Sequence, residues 1–559
     1  LILPQWGISR FSKKEKRGNQ MKTAAIKILS LTLISGIMLS AVGCRRTVKI
    51  AGNGSDYASE YWITEEVDGE STASGGKTNG KGSTASSKDT GSKPEKKCTP
   101  SKNKLTVEGA GTDPDADYKA SGTVKVAVSS YRPCDYEAML DAFSAVYPNI
   151  DLVLDYRPKH GADADETNHY LASRAMAGNM PDVVFDDAGR LPNYLVQGWV
   201  YPLDKFVKND KAFSNIPSSL IANYTYLGKL YALPHQAHYS GVVLNLDAFD
   251  ELNMDIPSLS WNMKELENVL KTGTTDKFSG CEYLGAVPAE TAGSFTADGG
   301  PYGYNVKTKK FEMASSYGAA LKLNQNLKKT AGLEAYSLRF PNINDYVSKF
   351  GNGNTGVVDM AFKLGRTLVH FEQGTWAVDN LKSICKFNWK LYPYPQAIKG
   401  RIPVHIDHCF MTTSANNLKN PNAAFQVLRY MTYSTEGNLA RLSMYDAKNK
   451  GKYALNSRIF YPTVNNKEVA EKFKSLPGVT DVDIYFFENT GNGYRSDLLK
   501  IVPGWEDIIK IISAAMEGKD NADVDSIIPS LQAKTNSEIT KKWSDFETKL
   551  KKVQSEFKG

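Results

Sequence analysis

Residues 123–185 switch back and forth between two periodicities, and that alternation restricts the fold more than any other feature of the chain. Thr123-Val124-Lys125-Val126-Ala127-Val128 alternates and is rich in valine, the pattern of a strand. Met139, Ala142, Phe143 and Val146 then recur at i, i+3, i+4 and i+7, one face of a helix, which Tyr147-Pro148-Asn149 stops. Asp151 to Leu154 reads as a second strand and Leu171 to Ala177 as a second helix, broken at Gly178-Asn179-Met180-Pro181. Asp182-Val183-Val184-Phe185 is a third strand. The order β-α-β-α-β predicts an α/β protein with a parallel sheet and right-handed crossovers. Ligands of such sheets sit beyond the carboxyl ends of the strands. That rule selects Tyr131 after the first strand, and Asp186, Asp187 and Arg190 after the third.

The chain has 559 residues, enough for two or three domains, and 41% of them are hydrophobic, so most of it buries a core. The net charge of +7 is concentrated at one end: residues 1–20 carry +4 and residues 21–43 carry +2, leaving +1 from Cys44 onward. A nearly neutral body offers nucleic acid no electrostatic footing.

The first methionine is Met21, and the sequence after it has the layout of a secretory signal. Lys22 and Lys27 precede Ile28 to Val42, an uncharged and mostly apolar run of 15 residues, short for a membrane span of ~20. Translation is therefore expected to start at Met21, with residues 1–20 as upstream read-through. Ala41-Val42-Gly43-Cys44 resembles a bacterial lipobox, although Ala41 stands where leucine is preferred. The resemblance implies that Cys44 is lipidated and becomes the mature N-terminus, held at the outer face of the cytoplasmic membrane. In residues 71–100, Ser, Thr, Gly and Lys fill 22 of 30 positions, with no Leu, Ile, Val, Phe, Tyr or Trp. Such a stretch cannot offset its ordering entropy by burial, so residues 44–120 are expected to be a disordered tether with a reach of ~50 Å. That length suits a thick Gram-positive wall.

Six widely spaced cysteines make neither a disulfide framework nor a CxxC site. Farther along, Asn420 is placed to cap a helix with Pro421 in its first turn, and Ala424, Val427, Leu428 and Met431 form its apolar face. Ile508, Ile509, Ile512 and Met516 mark another helix. Ile527, Ile528, Leu531, Ile539, Trp543 and Phe546 lie on a last amphipathic stretch.

Several segments, in this order, resemble the family 1 extracellular solute-binding proteins of bacterial ABC importers, of which maltose-binding protein is the best-known relative. They are the opening strand and helix, Met180 to Phe185, Gln197-Gly198-Trp199, Gly228-Lys229-Leu230-Tyr231-Ala232-Leu233-Pro234, Phe371-Glu372-Gln373-Gly374-Thr375-Trp376-Ala377 and Asn420-Pro421-Asn422-Ala423-Ala424. The chain departs from that pattern at Leu244-Asn245, where Tyr-Asn is usual, and at His405-Ile406-Asp407-His408-Cys409, where a Gly-Gly pair is common. The resemblance implies a two-lobe periplasmic-binding-protein (type II) fold with a hinge. Residues 121–234 and 405–455 would form the first lobe, and 235–404 and 456–559 the second. A small solute bound between the lobes favours the closed form. ABC permease subunits would then take the solute, with the protein acting as a monomer and performing no chemistry of its own.

Carbohydrate is the leading ligand class, since much of the family handles sugars. Sugars call for aromatic faces against the apolar sides of their rings and polar groups for their hydroxyls. By position in the matching segments, His235, His238, Tyr239, Trp376, Asp379, Asn380, His405, Asp407 and Trp505 join the four strand-end residues as candidates. Each has a plainer reading: Asp186 and Asp187 as a capping pair, Arg190 as an ion-pair partner, Trp376 as core, Trp505 as a hydrophobic cap. Four of the seven histidines fall in His235-x-x-His238 and His405-x-x-His408, which raises zinc as an alternative, although H-x-x-H lacks the i, i+4 spacing of a helical zinc site. No cofactor is expected. A surface-anchored glycan-acting enzyme would need two facing carboxyl groups, which sequence spacing cannot reveal.

Overall fold

The computed structural model describes residues 105, 110–128, 133–157, 164–281, 287–329, 343–351, 360–406, 408–413, 418–446, 459–517, 519 and 522–556. Cys44, Tyr131, Asp407 and the stretch from Ile28 to Val42 lie outside them. Among the described residues no helix is long and apolar enough to cross a membrane.

The strands in chain order are β1 Gly122–Val128, β2 Ile150–Tyr156, β3 Val183–Asp187, β4 Thr225–Tyr226, β5 Lys229–Leu230, β6 Leu233–Pro234, β7 His238–Asn245, β8 Tyr304–Asn305, β9 Lys310–Phe311, β10 Val369–Gly374, β11 Trp389–Pro393, β12 Pro403–His405, β13 His408–Thr412 and β14 Tyr494–Arg495. The first sheet runs β2-β1-β3-β13-β6. β1 pairs in parallel with both β2 and β3, as the alternating pattern requires. The expectation of a parallel sheet fails at β13, which is antiparallel to β3 and to β6. β13 reaches this sheet directly from the second one, without a crossover helix, so it enters in the opposite sense.

Helix Pro133–Val146 covers the first sheet, with Phe143 stacked on Tyr147 at 4.4 Å and edge-on to Tyr430 at 5.4 Å. Tyr430 belongs to helix Pro421–Thr432, which is buried along nearly its whole length. Asn420 does not cap that helix through its side chain; its Nδ2 donates instead to the Thr123 carbonyl at 3.0 Å, beside Gly122.

The second sheet is built on β7, all eight of whose residues are buried. β10 takes one edge, and β11 and β12 share the other, all antiparallel; β14 then pairs with β12 in parallel. Gly241 has to be glycine, because a Cβ there would stand 2.6 Å from the Tyr392 carbonyl.

Three passages join the sheets. The chain leaves β6 at Pro234 and starts β7 at His238; it leaves β12 at His405 and starts β13 at His408. The third lies along the first, where the Ala237 N–H donates to the Tyr461 carbonyl at 3.1 Å. Helix Val524–Glu556, expected with the second lobe, reaches both halves. Its 33 residues extend ~50 Å. Asn536 and Gln532 accept from the N–H groups of Phe311 and Met313, while Gln554 donates to the Tyr231 hydroxyl and Phe546 lies 5.5 Å from the ring of Tyr226.

Residues 110–120, expected as the end of a disordered tether, are instead docked. Asp113 joins Asp210 around the buried Arg429 guanidinium, at 2.9 and 2.6 Å. Glu436 accepts from the Gly111 N–H at 2.6 Å and from the Tyr118 hydroxyl at 3.3 Å. Composition suggested a solvated coil here, but long-range charge partners hold it on helices Pro421–Thr432 and Thr435–Ser443.

Candidate functional site

The candidate residues separate into two corners and a remainder. The first corner lies at the carboxyl end of β3. Asp186 is only 1% exposed. Its Oδ1 faces Arg157 Nη1 at 2.7 Å and Arg190 Nη1 at 3.3 Å, and its Oδ2 accepts the Tyr194 hydroxyl at 2.6 Å. Burial beside this carboxylate pushes the Tyr194 hydroxyl well above its ordinary range. Asp187 Oδ1 accepts the Gly189 N–H at 2.7 Å, capping the short turn Ala188–Arg190. The corner is thus a buried charge cluster closed mainly on its own partners.

The second corner forms where the second sheet meets the passages. In the β7–β12 pairing His238 stands directly opposite His405. β10 runs beside β7, with Gly374 opposite Ser240, and ends there. A helical turn, Thr375–Ala377, follows, so Trp376 does not sit in a strand. Its ring folds back over Gly374, where a Cβ would stand 2.4 Å from the indole. The turn carries Trp376 to 5.2 Å from the ring of His405 and 6.4 Å from that of His238.

Hydrogen bonds orient both imidazoles. The Gln236 amide donates to His238 Nε2 at 2.6 Å, so His238 Nδ1 carries the proton and faces Thr375 Oγ1 at 3.4 Å. His405 Nδ1 lies 3.3 Å from Ser496 Oγ. The result is one indole and two oriented imidazoles, a set that matches a ligand with an apolar ring face and hydroxyl edges.

The remaining candidates are placed elsewhere. Tyr239 stacks on Phe486 at 4.8 Å in the core of the second half, with its hydroxyl bonded to Thr490. His235 lies in an aromatic box: Phe185 at 5.0 Å, Phe410 at 5.1 Å, Tyr136 at 5.8 Å and Phe460 at 6.3 Å. Its Nδ1 donates to the Met431 carbonyl at 3.2 Å. Burial, then the Arg441 cation, holds this imidazole well below its usual pKa, so it is neutral. Asp379 and Asn380 lie in the first turn of helix Val378–Ile384, and Trp505 opens helix Trp505–Met516 after Gly504 in the left-handed region.

Sequence reasoning missed Arg157, Tyr194, Thr375, Gln236 and Ser496. Arg157 follows β2 just as Asp187 ends β3, so the strand-end rule applied to every strand would have found it. Nothing local marks the others.

Among the described residues no group of three His, Cys, Asp or Glu side chains could hold a metal ion, and Cys281, Cys385 and Cys409 are buried. A cavity of about 330 Å³ lies away from both corners, lined by Lys309, Trp543, Glu547 and their neighbours. Lys309 already covers the Trp543 ring at 4.2 Å and pairs with Glu547.

The family profile described as bacterial extracellular solute-binding protein matches residues 118–447. No curated protein matches the chain. Among solved structures, the cyclic alpha-maltosyl-1,6-maltose binding protein of Arthrobacter globiformis superposes with a TM-score of 0.52 at 15% identity, covering 75% of this chain and 99% of that one. The sugar-binding protein MalE of Xanthomonas citri gives 0.52 at 15%, covering 76% and 99%. A family 1 extracellular solute-binding protein of Bifidobacterium longum subsp. infantis gives 0.51 at 16%, covering 76% and 100%. At these identities the likeness establishes the two-lobe fold.

Proposed function

The chain belongs to the bacterial extracellular solute-binding proteins, and from that premise we propose that it captures a sugar or oligosaccharide between its lobes and hands it to the permease of an ABC importer. The observation that carries this reading is the cluster of Trp376, His238 and His405 at the junction of the lobes. The indole supplies a face for the apolar side of a pyranose. The imidazoles supply hydrogen-bonding edges for hydroxyls. No charge is needed, which suits a neutral ligand. The Asp186 corner, from the first lobe, would complete the seat when the lobes close, with Asp187 and Arg190 as its half-buried members. Binding that engages both lobes only in the closed form shifts the population toward it.

In this reading Cys44 carries the lipid that keeps the protein at the outer face of the membrane, probed by Cys44→Ser and labelled fatty acid. The ligand reading is tested by thermal shift against linear and cyclic maltooligosaccharides, raffinose-type sugars and simple hexoses. A ligand at 100 times its Kd stabilises by about 2.7 kcal/mol. A panel that moves the transition nowhere sinks the sugar reading, and release of shortened glycans would replace it with an enzyme.

A further inference from the structure

The second passage is gripped by a buried ion pair that the ligand reading does not use. Arg495 closes β14, and Asp497 follows two residues later. Arg495 Nε donates to Asp497 Oδ1 at 2.9 Å and Nη2 to Oδ2 at 2.6 Å, a two-pronged fork. The two side chains are 2% and 1% exposed. The fork also holds both polar groups of one residue in the passage. Arg495 Nη2 donates to the Ile406 carbonyl at 2.8 Å, and the Ile406 N–H donates to Asp497 Oδ1 at 3.2 Å. On its other side the guanidinium stands 5.1 Å from the ring of Tyr224, a residue of the first half.

Removing two charges from water is costly, and apolar side chains of similar volume would often hold the same core as well. What a forked pair adds is a single allowed geometry. β12 needs one. It is three residues long, and His405 is its last. With β14 it pairs only through Pro403 and Val404. On that side of the strand the next anchor is Ile406, and the fork fixes it in both directions. Ser496 lies between the two charged residues; its N–H donates to the Val404 carbonyl at 2.8 Å and its Oγ meets His405 Nδ1. Residues 495–497 therefore grip the backbone on both sides of His405 and the imidazole itself.

We propose that Arg495 and Asp497 are positioning residues for His405, clamping the Ile406 peptide so that the imidazole faces Trp376. The proposal rests on reading that ring cluster as the ligand seat, but its test needs no ligand. With only seven histidines in the chain, selective carbon labelling of histidine resolves the Cε1–H signals of the full-length protein. The His405 signal is identified by its loss in His405→Gln, and the Trp376 ring current displaces it from the free-histidine position. In Asp497→Asn the His405 signal loses most of that displacement while the His235 signal stays in place. Arg495→Lys does the same; it keeps a cation beside Asp497 but not the reach to the Ile406 carbonyl, and it decides the matter if the first variant fails to fold. A folded variant whose His405 signal does not move overturns the proposal and leaves the pair a purely structural element. The spectra are recorded without sugar, so a failure of sugar binding counts against the ligand reading alone.

Discussion

The Asp186 corner and the Trp376 corner were both read from sequence as ligand seats, and their chemistry differs. The first is charged and closed on itself: one carboxylate, two guanidinium groups and a phenol hydroxyl engage one another in the interior. The second is built of three rings, and its contacts run to an amide and two hydroxyl groups. A buried ion cluster has to be satisfied in the ligand-free state, because an unpaired buried charge is very costly. Charge near a cleft therefore does not by itself mark ligand contact. The aromatic corner is the one proposed above as the seat.

Breaking the charged corner should have the largest effect. Arg157→Ala leaves Asp186 buried with only the more distant Arg190 as a cationic partner, and stability should fall by about 3–5 kcal/mol, read from urea unfolding. An unchanged midpoint would mean that Asp186 is not a buried carboxylate paired with Arg157. The aromatic corner should respond in affinity instead. Trp376→Ala should weaken sugar binding by about 10- to 100-fold in calorimetry, a cost of about 1.4–2.8 kcal/mol. Gly374→Ala should act in the same direction, since its methyl group enters the space of the indole. Equal affinities would remove Trp376 from the seat.

His235, in the aromatic box between the passages, sharpens the contrast through pH. Its pKa is lowered in the folded state, so the unfolded chain takes up the proton first. Its contribution is complete above the unfolded value near 6.5 and is lost as pH falls from there toward the folded value. Between pH 7.5 and 5.5 that loss is on the order of 1 kcal/mol. The groups facing it are Arg441, His408 and His238, none of which offsets the new charge. His235→Gln should flatten this slope in urea midpoints, and a slope identical to wild type would assign it to other groups. The smallest effect belongs to Asp187→Ala, which removes a cap from a three-residue turn and should cost about 0.5–1 kcal/mol. A loss of sugar affinity beyond that small cost is expected if Asp187 helps complete the seat, and unchanged affinity would remove it.

The elements that could be read from sequence are those whose signal is local. β1 to β3 and their helices followed from periodicity, and helices Pro421–Thr432 and Trp505–Met516 from their apolar faces. His238, Trp376 and His405 were singled out by their positions in segments resembling one family, but each was one name among thirteen. Residues 110–120 read as the end of the tether because composition cannot show that Asp113 meets Arg429 or that Glu436 meets Gly111. Asn420 looked like a cap because the rule considers only its own helix, whereas its side chain serves a strand far away in sequence.

The amino-acid sequence by itself settled the kind of fold, an α/β chain opening with parallel strands, because burying alternate residues is a demand each segment makes on its own. It also supplied the residue types of the proposed seat. Only the tertiary structure decided which of them meet. The antiparallel register of β7 and β12 sets His238 against His405, and a strand ending at Gly374 swings Trp376 onto both. The same folding pairs Arg157 with Asp186 in the interior. Those contacts depend on pairing between distant strands, which local patterns of polarity leave undetermined.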